Sequence, residues 1–362
     1  MPVGIQSAKN KIKDILGIKR GLDYEEIAAA KLDLGEDFAA RSVADRILLV
    51  SHSESQCGIQ QYGVNVFQAL RKSTRYNFCY CECSSAKILN EILLERRPRF
   101  VIYNYYPATM PWLTAKVTRS CPVTQLGIMH EVTQEEADNA RAEMFDFHLC
   151  PDPTLIENNP LTFKTPRLIP TYNNELPSPS IVTIGSFGFG FADKGFERLI
   201  QTVQNEFDEA HIVLRLPFND IIDQKGKNHA LVTAARCREF VTKPKIKLTI
   251  SHDFLSKTDL LNFLASNTLN CFFYDPHKHR GISSTIEHAL AVQRPLAITR
   301  CGMFRHVSAA TPSICIENSS LKQIIGNGIS PLEPFYEQWN EKSFIAAYEK
   351  IIDKVASRST MN

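Results

Sequence analysis

The sequence predicts an α/β protein with two doubly wound parallel sheets, one in each of two domains. Short continuous apolar runs such as Arg46–Ser51 alternate along the chain with stretches in which apolar residues have helical spacing. This pattern is typical of strands buried between layers of helices. The length of 362 residues suits two domains of about 150 residues each. Two such domains predict a cleft between them.

The composition is that of an ordinary globular protein, with 44% hydrophobic and 22% charged residues. A net charge of +2 provides no long-range field for nucleic acid, so we expect no nucleic-acid partner. The sequence shows no secretory signal and no apolar run of about 18 residues, the length needed to span a bilayer. Together with cysteines scattered among apolar residues, these features predict a cytoplasmic protein.

The alternating Cys79, Cys81 and Cys83 are interpreted as small buried apolar residues on one face of a strand. Three thiols in this arrangement could ligate a metal, but no second cluster at the spacing of a zinc site accompanies them. We therefore expect neither a metal site nor a bound cofactor.

Residues 1–44 form a charged extension with the apolar spacing of an amphipathic helix. We expect this helix to pack on the first domain, because its basic residues do not lie on one clean face. The alternative is a basic helix on anionic lipid, which would give the protein a peripheral membrane contact.

The first α/β domain is predicted over residues 45–170 and the second over 178–330, with a C-terminal helix, Glu341–Ala356, within 331–362. The linker is placed in Pro151–Pro179, which is rich in proline and asparagine and shows no periodicity. The predicted strands are Arg46–Ser51, Phe100–Tyr103, Val123–Ile128 and Phe147–Cys150 in the first domain, then Ser180–Ile184, His211–Leu216, Ile246–Ile250, Asn270–Tyr274 and Pro295–Ile298.

Loops that follow strands are the candidate sites, because ligands of open α/β sheets bind beyond the carboxyl ends of the strands. Gly58 and Gly63 flank a turn that leads into a helix and could hold an anion, although such turns are usually only turns. After the third predicted strand stand His130 and Glu131, a polar pair that could hold a ligand hydroxyl. Alternatively, His130 bonds to a neighbouring backbone carbonyl.

A long glycine-rich loop, Gly185–Gly195, opens the second domain and includes Asp193 and Lys194 near its end. Backbone amides plus one ammonium group suit a diphosphate. The loop lacks the G-K-[ST] ending of a P-loop, so hydrolysis of ATP or GTP is poorly supported. The alternative is that Asp193 is the N-cap of the next helix, with Lys194 in solvent beside it.

Cations, a glycine, hydroxyls and one acid lie between the fourth predicted strand of the second domain and its next helix. The amides of Gly281, Ile282, Ser283 and Ser284 would favour phosphate at a helix N-terminus, and Glu287 could accept hydrogen bonds from ribose hydroxyls. The alternative is a capped helix that starts at Ser283 or Ser284, with Glu287 completing a capping box. The basic run before Gly281 favours the anion site.

In order and spacing, these features resemble retaining glycosyltransferases of the GT-B fold, family 4 type. The pair Lys194–Gly195 follows the first strand of the second domain, the strand at Leu269–Tyr274 comes near its end, and Gly281–Leu290 opens a helix rich in small residues. In the first domain, Gly58 and the pair His130–Glu131 match. Each motif alone is only moderately specific.

The resemblance spans roughly residues 46 to 310. It implies two Rossmann-like domains with a cleft between them, a nucleotide-sugar donor, and sugar transfer with retention and without metal. Fixed cations and amide dipoles would stabilise the departing diphosphate. The implied donor-site roles are Lys194 for the diphosphate, Glu287 for the ribose, Ser283 and Ser284 for the phosphates, His130 with Glu131 for the transferred sugar, and the glycines Gly58 and Gly185 for close approach of a ligand to the backbone.

Two positions depart from the pattern of these enzymes. The first glutamate of E-x(7)-E is replaced by His279, which can still hydrogen-bond a hydroxyl. The arginine expected before Lys194 is missing, and Arg215 or Arg280 would supply that cation instead.

The acceptor is not identified by the sequence and could be a glycan, a lipid-linked sugar or a metabolite, with a role in polysaccharide biosynthesis among the candidates. Two other functions stay open because fold does not fix function. One is a catalytically silent protein of this fold that binds a nucleotide sugar or a partner glycosyltransferase. The other is a different nucleotide-dependent enzyme, such as a sugar epimerase.

Overall fold

The computed structural model describes residues 46–54, 57–218, 228–276 and 281–359. The N-terminal extension and the predicted site residues His279 and Arg280 therefore lie outside the described residues. Within those ranges, no helix has both the length and the apolar character needed to cross a membrane.

The first sheet contains β1 as an interior strand, and every residue of β1 after Arg46 is buried. Strands buried on both faces are expected to show such continuous apolar runs. The sheet order is β2-β1-β3-β4-β5-β6, and the pairs β1·β2, β1·β3, β3·β4 and β4·β5 are parallel. The strands are β1 (Arg46–Ser51), β2 (Asn77–Glu82), β3 (Phe100–Tyr105), β4 (Thr124–Met129), β5 (Phe147–Cys150) and β6 (Thr162–Lys164), and the helices between them are α1 (Gly58–Leu70), α2 (Ala86–Arg96), α3 (Ala115–Arg119) and α4 (Gln134–Asp138).

The second sheet has the order β11-β10-β7-β8-β9, and all of its pairs are parallel. Its strands are β7 (Thr183–Phe187), β8 (Ala210–Arg215), β9 (Ile246–Ser251), β10 (Leu269–Phe272) and β11 (Leu296–Ile298), and the helices are α5 (Phe196–Glu206), α6 (His229–Glu239), α7 (Lys257–Ala265), α8 (Thr285–Ala291), α9 (Leu321–Asn327), α10 (Glu333–Gln338) and α11 (Glu341–Ser359). Both sheets confirm the predicted α/β class.

Side-chain caps define where several helices begin. The α4 helix starts with a capping box in which Thr133 accepts from the Glu136 amide and Glu136 accepts from the Thr133 amide. Ser320 and Gln323 form the same box at α9. These bonds satisfy amides that have no partner within the helix.

The chain forms two compact units. The first comprises the described residues through Met129, together with Ala140–Leu149 and the chain from Glu349 on. The second comprises His130–Asn139 and Cys150–Tyr348. The predicted boundary at residue 170 differs from this division, since the second unit already begins to take up the chain at Cys150 and continues through Tyr348.

Each unit has its own apolar core. In the first unit the core gathers around β1 and β2 and includes Cys79, Cys81 and Cys83, which are all at most 3% exposed, so their interpretation as buried apolar residues is confirmed. In the second unit, apolar residues of β7, β8 and α5 form one cluster and those of β10, α7 and α8 another.

Two details of the predicted elements are wrong. The strand expected at Ser180–Ile184 is displaced to Thr183–Phe187, because an apolar run does not show at which residue the hydrogen-bonded pairing starts. The stretch in which the linker was placed, Pro151–Pro179, contains β6, a strand too short to produce a detectable period.

Candidate functional site

The glycine loop, defined here as Gly188–Gly195, follows β7 in the second unit. Gly185, predicted to be part of the loop, instead lies inside β7 and is buried. A Cβ on Gly185 would overlap with the side-chain amide of Asn267. Its lack of a side chain therefore serves packing within the unit.

The start of the glycine loop is tied to the neighbouring strand, because the Gly188 amide donates to the Arg215 carbonyl at 3.0 Å. Gly188 has φ of +148°, a conformation that favours glycine. Further along, the Gly190 carbonyl accepts from Thr233 Oγ1 of α6 at 2.7 Å. The loop is held at both of these points.

The end of the loop packs on the chain that follows β10. Gly195 has φ of +65°, and a Cβ there would overlap with the Phe273 carbonyl oxygen. The Asp275 amide donates to the Asp193 carbonyl at 2.8 Å. These contacts place Lys194 beside the carboxyl end of β10, where ligands of parallel sheets are found.

The proposal that Asp193 is the N-cap of the next helix is wrong. Asp193 lies in a short 3₁₀ turn, Ala192–Lys194, and the N-cap of α5 is Gly195. Lys194 is directed to an aromatic ring, and its Nζ lies 3.7 Å from the centroid of Tyr274.

The predicted pair His130 and Glu131 lies against Gly281 within the second unit. A Cβ on Gly281 would overlap with the His130 carbonyl oxygen and would come within 3.2 Å of Glu131 Cγ. The structure thus brings Gly281 against a pair of residues about 150 positions earlier in the sequence. Only glycine allows this approach, which explains the residue type at position 281.

The capping alternative for α8 is correct about the start of the helix, whose N-cap is Ser284, but wrong about the capping box. Among the described residues no side chain caps the helix, and Glu287 is bonded to Arg167 instead. The Ser283 amide donates to the Met303 carbonyl at 3.1 Å, and its hydroxyl is 2.9 Å from Thr285 Oγ1. The amide and hydroxyl of Ser283 thus already have partners within the protein. Ile282 and Ser284 are half-buried.

Glu287 is held by Arg167. Arg167 Nε and Nη2 donate to the two carboxylate oxygens at 2.8 Å each, and Nη1 donates to the Pro151 carbonyl at 2.8 Å. Both side chains are less than 5% exposed. A ribose hydroxyl would therefore have to share a carboxylate whose two oxygens already accept bonds from Arg167.

Burial alone would raise the pKa of Glu287, but the charge and hydrogen bonds of Arg167 outweigh burial and lower that pKa to about 2. His306 Nε2 lies 3.4 Å from the same carboxylate, and burial lowers the pKa of His306. Close by in sequence, Arg305 Nε donates to buried Asp152 at 2.8 Å. Buried charges in the second unit are thus paired, as desolvation requires.

Arg215, proposed to replace the missing arginine, lies at the end of β8. Its guanidinium carbon is 5.1 Å from the centroid of the Phe263 ring, and its Nε is buried without a hydrogen-bond partner in the part of the chain that the structure describes. Its carbonyl holds the glycine loop through Gly188. Arg215 therefore contacts the glycine loop through its backbone carbonyl, while its guanidinium lies against Phe263.

Gly58, in the first unit, is the first residue of α1, and apart from its chain neighbours and its own helix backbone, no atom of the described residues lies within 4 Å of the position of a Cβ on it. The N-cap residue Cys57 makes no side-chain bond to the helix. The turn predicted between Gly58 and Gly63 is therefore wrong, since both glycines lie within α1. The open space beside Gly58 is expected for a residue that admits a ligand, but the exposed start of a helix would show the same feature.

Two residues that the sequence interpretation missed take part in this arrangement. Arg167 stands in the proline-rich stretch, where nothing marks a partner 120 positions away. Tyr274 is the last residue of a predicted strand. An aromatic residue at the end of such a strand is the one signal that the sequence offers, and it is a weak one.

Comparisons with known proteins identify the fold. No protein-family model and no curated protein matches the chain. Among solved structures, Anabaena Alr3699/HepE in complex with UDP and glucose matches with a TM-score of 0.61 and 11% identity over 86% of this chain and 99% of its own. A glycosyltransferase from Rickettsia africae gives the same values. Sucrose-phosphate synthase from Thermosynechococcus elongatus has a TM-score of 0.61 at 10% identity, over 87% and 100%.

The chain therefore has the fold of the GT-B glycosyltransferases, with two parallel sheets and interleaved helices. At these identities the likeness establishes the fold, and function has to be argued from the site.

Proposed function

We propose that the protein is a glycosyltransferase that moves a sugar from a nucleotide-sugar donor to an acceptor hydroxyl, with retention of configuration and without a metal ion. The observation that carries the proposal is the placement of Lys194 at the end of the glycine loop, beside the carboxyl end of β10. It is supported by the fold that the chain shares with glycosyltransferases.

In sugar transfer, the site has to stabilise the leaving group, which is the nucleoside diphosphate. When the bond between the sugar and the nucleotide breaks, negative charge develops on the diphosphate. The ammonium of Lys194 would neutralise part of that charge, and backbone amides of the glycine loop would supply further fixed dipoles. Because these groups are held before the ligand arrives, little reorganisation is needed in the transition state.

The pair His130 and Glu131 is the proposed contact for the transferred sugar. Both residues border Gly281, which precedes α8 in the same unit as Lys194. Hydroxyl groups of a sugar suit a histidine and a carboxylate as partners. Glu131 is exposed, so its carboxylate is accessible to a ligand.

The first donors to test are UDP-sugars, because Anabaena HepE, which shares the fold, was crystallised with UDP and glucose. Isothermal titration calorimetry with UDP, GDP and ADP and their sugar conjugates, with and without EDTA, would identify the base. We expect saturable binding of one nucleotide that EDTA does not change. Turnover would then be followed as release of the nucleoside diphosphate with a panel of acceptors.

The variant Lys194→Met is expected to weaken nucleoside diphosphate binding at least about tenfold, the scale of one lost charge-assisted contact. Its matched control is Lys322→Met, because the ammonium of Lys322 also lies over an aromatic ring, 5.4 Å from the centroid of Phe207, but outside the glycine loop. Equal affinity in all three proteins would refute the role of Lys194. Absence of binding by the wild-type protein at millimolar ligand would refute the donor site itself.

A further inference from the structure

Tyr274 is a buried aromatic residue two positions after β10 in the second unit, only 2% exposed. Its ring centroid lies 4.6 Å from that of Phe304. Its carbonyl accepts a hydrogen bond from Thr299 Oγ1 at 2.6 Å. The ring is thus fixed both by packing and through its own backbone.

The ammonium of Lys194 lies on the face of this fixed ring, 3.7 Å from the centroid. That distance is well within the range of about 6 Å for attraction between a cation and an aromatic ring. The Lys322 pair on Phe207 is wider, at 5.4 Å. Lys194 therefore forms the tighter of these two contacts.

The backbone of Lys194 is fixed to the same segment as its side chain. Gly195 lies directly on the Phe273 carbonyl, and the Asp275 amide bonds to the Asp193 carbonyl. The acid nearest in sequence to Tyr274 is Asp275, which forms an ion pair with Arg198. The carboxylate of Asp275 is thus committed to another cation.

We propose that Tyr274 is a positioning residue for donor binding, holding the Lys194 ammonium on its ring so that it faces the diphosphate of the nucleotide sugar. The inference rests on the proposed function of Lys194. A lysine side chain has a flexible four-carbon stem, and ordering it on binding costs free energy. The face of the Tyr274 ring orders the side chain before the ligand binds, so less free energy is lost on binding.

An aromatic ring suits this task better than a carboxylate. An acidic partner would orient the ammonium but would also cancel its charge, which the diphosphate needs. The ring attracts the cation through its quadrupole and adds no net charge. Lys194 is thus ordered while its charge remains for the ligand.

The phenol hydroxyl is not needed in this role. It is buried, has no hydrogen-bond partner among the described residues, and lies 3.9 Å from the position of a Cβ on Gly188. A buried hydroxyl without a partner is unfavourable. Tyr274→Phe, which keeps the ring, should therefore fold at least as well as the wild type.

The experiment measures the dissociation constant of UDP, or of whichever nucleoside diphosphate binds, for Tyr274→Phe and Tyr274→Leu, with thermal unfolding of each variant. We expect Tyr274→Phe to bind within about twofold of wild type. Tyr274→Leu removes the ring face and should bind about threefold to tenfold more weakly, the fold-change corresponding to a typical cation–π contact. Tyr274→Met serves the same purpose if Tyr274→Leu does not fold.

The double variant Lys194→Met with Tyr274→Leu separates positioning from a general structural effect. If Tyr274 acts through Lys194, the double variant binds no more weakly than Lys194→Met alone. An additional loss in the double variant would overturn the proposal, and so would equal losses in Tyr274→Phe and Tyr274→Leu, since these would make the hydroxyl the active group. If Lys194→Met binds the nucleoside diphosphate as the wild type does, the proposed function of Lys194 is refuted. If Lys194→Met binds more weakly but Tyr274→Leu binds as the wild type does, only the role of Tyr274 is refuted.

Discussion

Arg167 donates to both carboxylate oxygens of Glu287 at 2.8 Å, inside the second unit and 120 positions away in the sequence. The pair joins the chain after β6 to helix α8. Because both side chains are almost completely buried, each charge depends on the other for compensation.

We expect Arg167→Met to destabilise the protein by about 3–5 kcal/mol, because it leaves the Glu287 carboxylate buried without its main counter-charge. Urea unfolding followed by fluorescence would measure the loss. The control is Arg75→Met, which breaks the pair of Arg75 with Asp353, whose side chains are 53% and 40% exposed. Exposed ion pairs contribute little to the free energy of unfolding, so the urea concentration at the unfolding midpoint should hardly change in this control.

The double variant Arg167→Met with Glu287→Gln tests the cause of that loss. Removing the carboxylate charge together with its partner should restore a large part of the stability, since no unpaired charge remains. A double variant as unstable as Arg167→Met would show that packing around Arg167, rather than the unpaired carboxylate, accounts for the effect.

The protein should become less stable at acidic pH, because protonation of Glu287 removes its ion pair with Arg167. The pKa of Glu287 is lowered from 4.5 to about 2 in the fold, so between these values the unfolded chain binds more protons than the native state. The ion pair therefore contributes fully above pH 4.5, and its contribution is lost as the pH falls to about 2. Unfolding measured from pH 6 to pH 3 should show a steeper decline for the wild type than for Arg167→Met with Glu287→Gln. Equal slopes would contradict this assignment.

Gly195→Ala should disturb the glycine loop. The residue has φ of +65°, where a side chain costs about 1–2 kcal/mol, and the added Cβ overlaps with the Phe273 carbonyl. Thermal unfolding should show a clear decrease in Tm. The control, Gly326→Ala, adds a methyl group in α9 at a position where, apart from the chain neighbours and the helix's own backbone, no atom of the described residues lies within 4 Å. It should raise stability by about 0.5–1 kcal/mol. The same decrease in both variants would argue against a special conformation at Gly195.

Gly281→Ala should displace His130, because the added Cβ overlaps with the His130 carbonyl. We expect this variant to have a lower Tm than the wild type. Its affinity for a nucleotide sugar should fall more than its affinity for the nucleoside diphosphate, since His130 and Glu131 are the proposed sugar contacts. Gly58→Ala is the matched control for stability, because a Cβ on Gly58 would meet no side chain of the described residues within 4 Å. The Tm of this variant should not change. If Gly281→Ala binds both ligands as the wild type does, the pair beside it does not contact the sugar.

Much of the fold could be predicted from the sequence because buried parallel strands show as continuous apolar runs. The runs at Arg46–Ser51 and Phe147–Cys150 coincide with β1 and β5. The start of β7 was misplaced by three residues, from 180 to 183, since hydrophobicity marks burial and not the first hydrogen bond of a ladder. The short β6 left no detectable pattern.

The candidate site was predictable only in part. Glycine loops and polar residues after strands pointed to Lys194, Gly281 and His130, because such residues have local reasons to stand there. The partners of those residues were not predictable. Tyr274 contacts Lys194 across 80 positions of sequence, and no local rule pairs a lysine with a ring so far away.

The sequence by itself determined the layers of this protein and the residue types at its loops, because hydrophobic periods and glycine positions are local properties of the chain. Tertiary structure alone decided which groups meet. It paired Glu287 with Arg167 instead of leaving it as a helix cap, and it placed Lys194 on Tyr274 rather than in solvent. Burial is the physical reason, since a charge removed from water is stable only beside a partner, and the fold determines which partner is within reach.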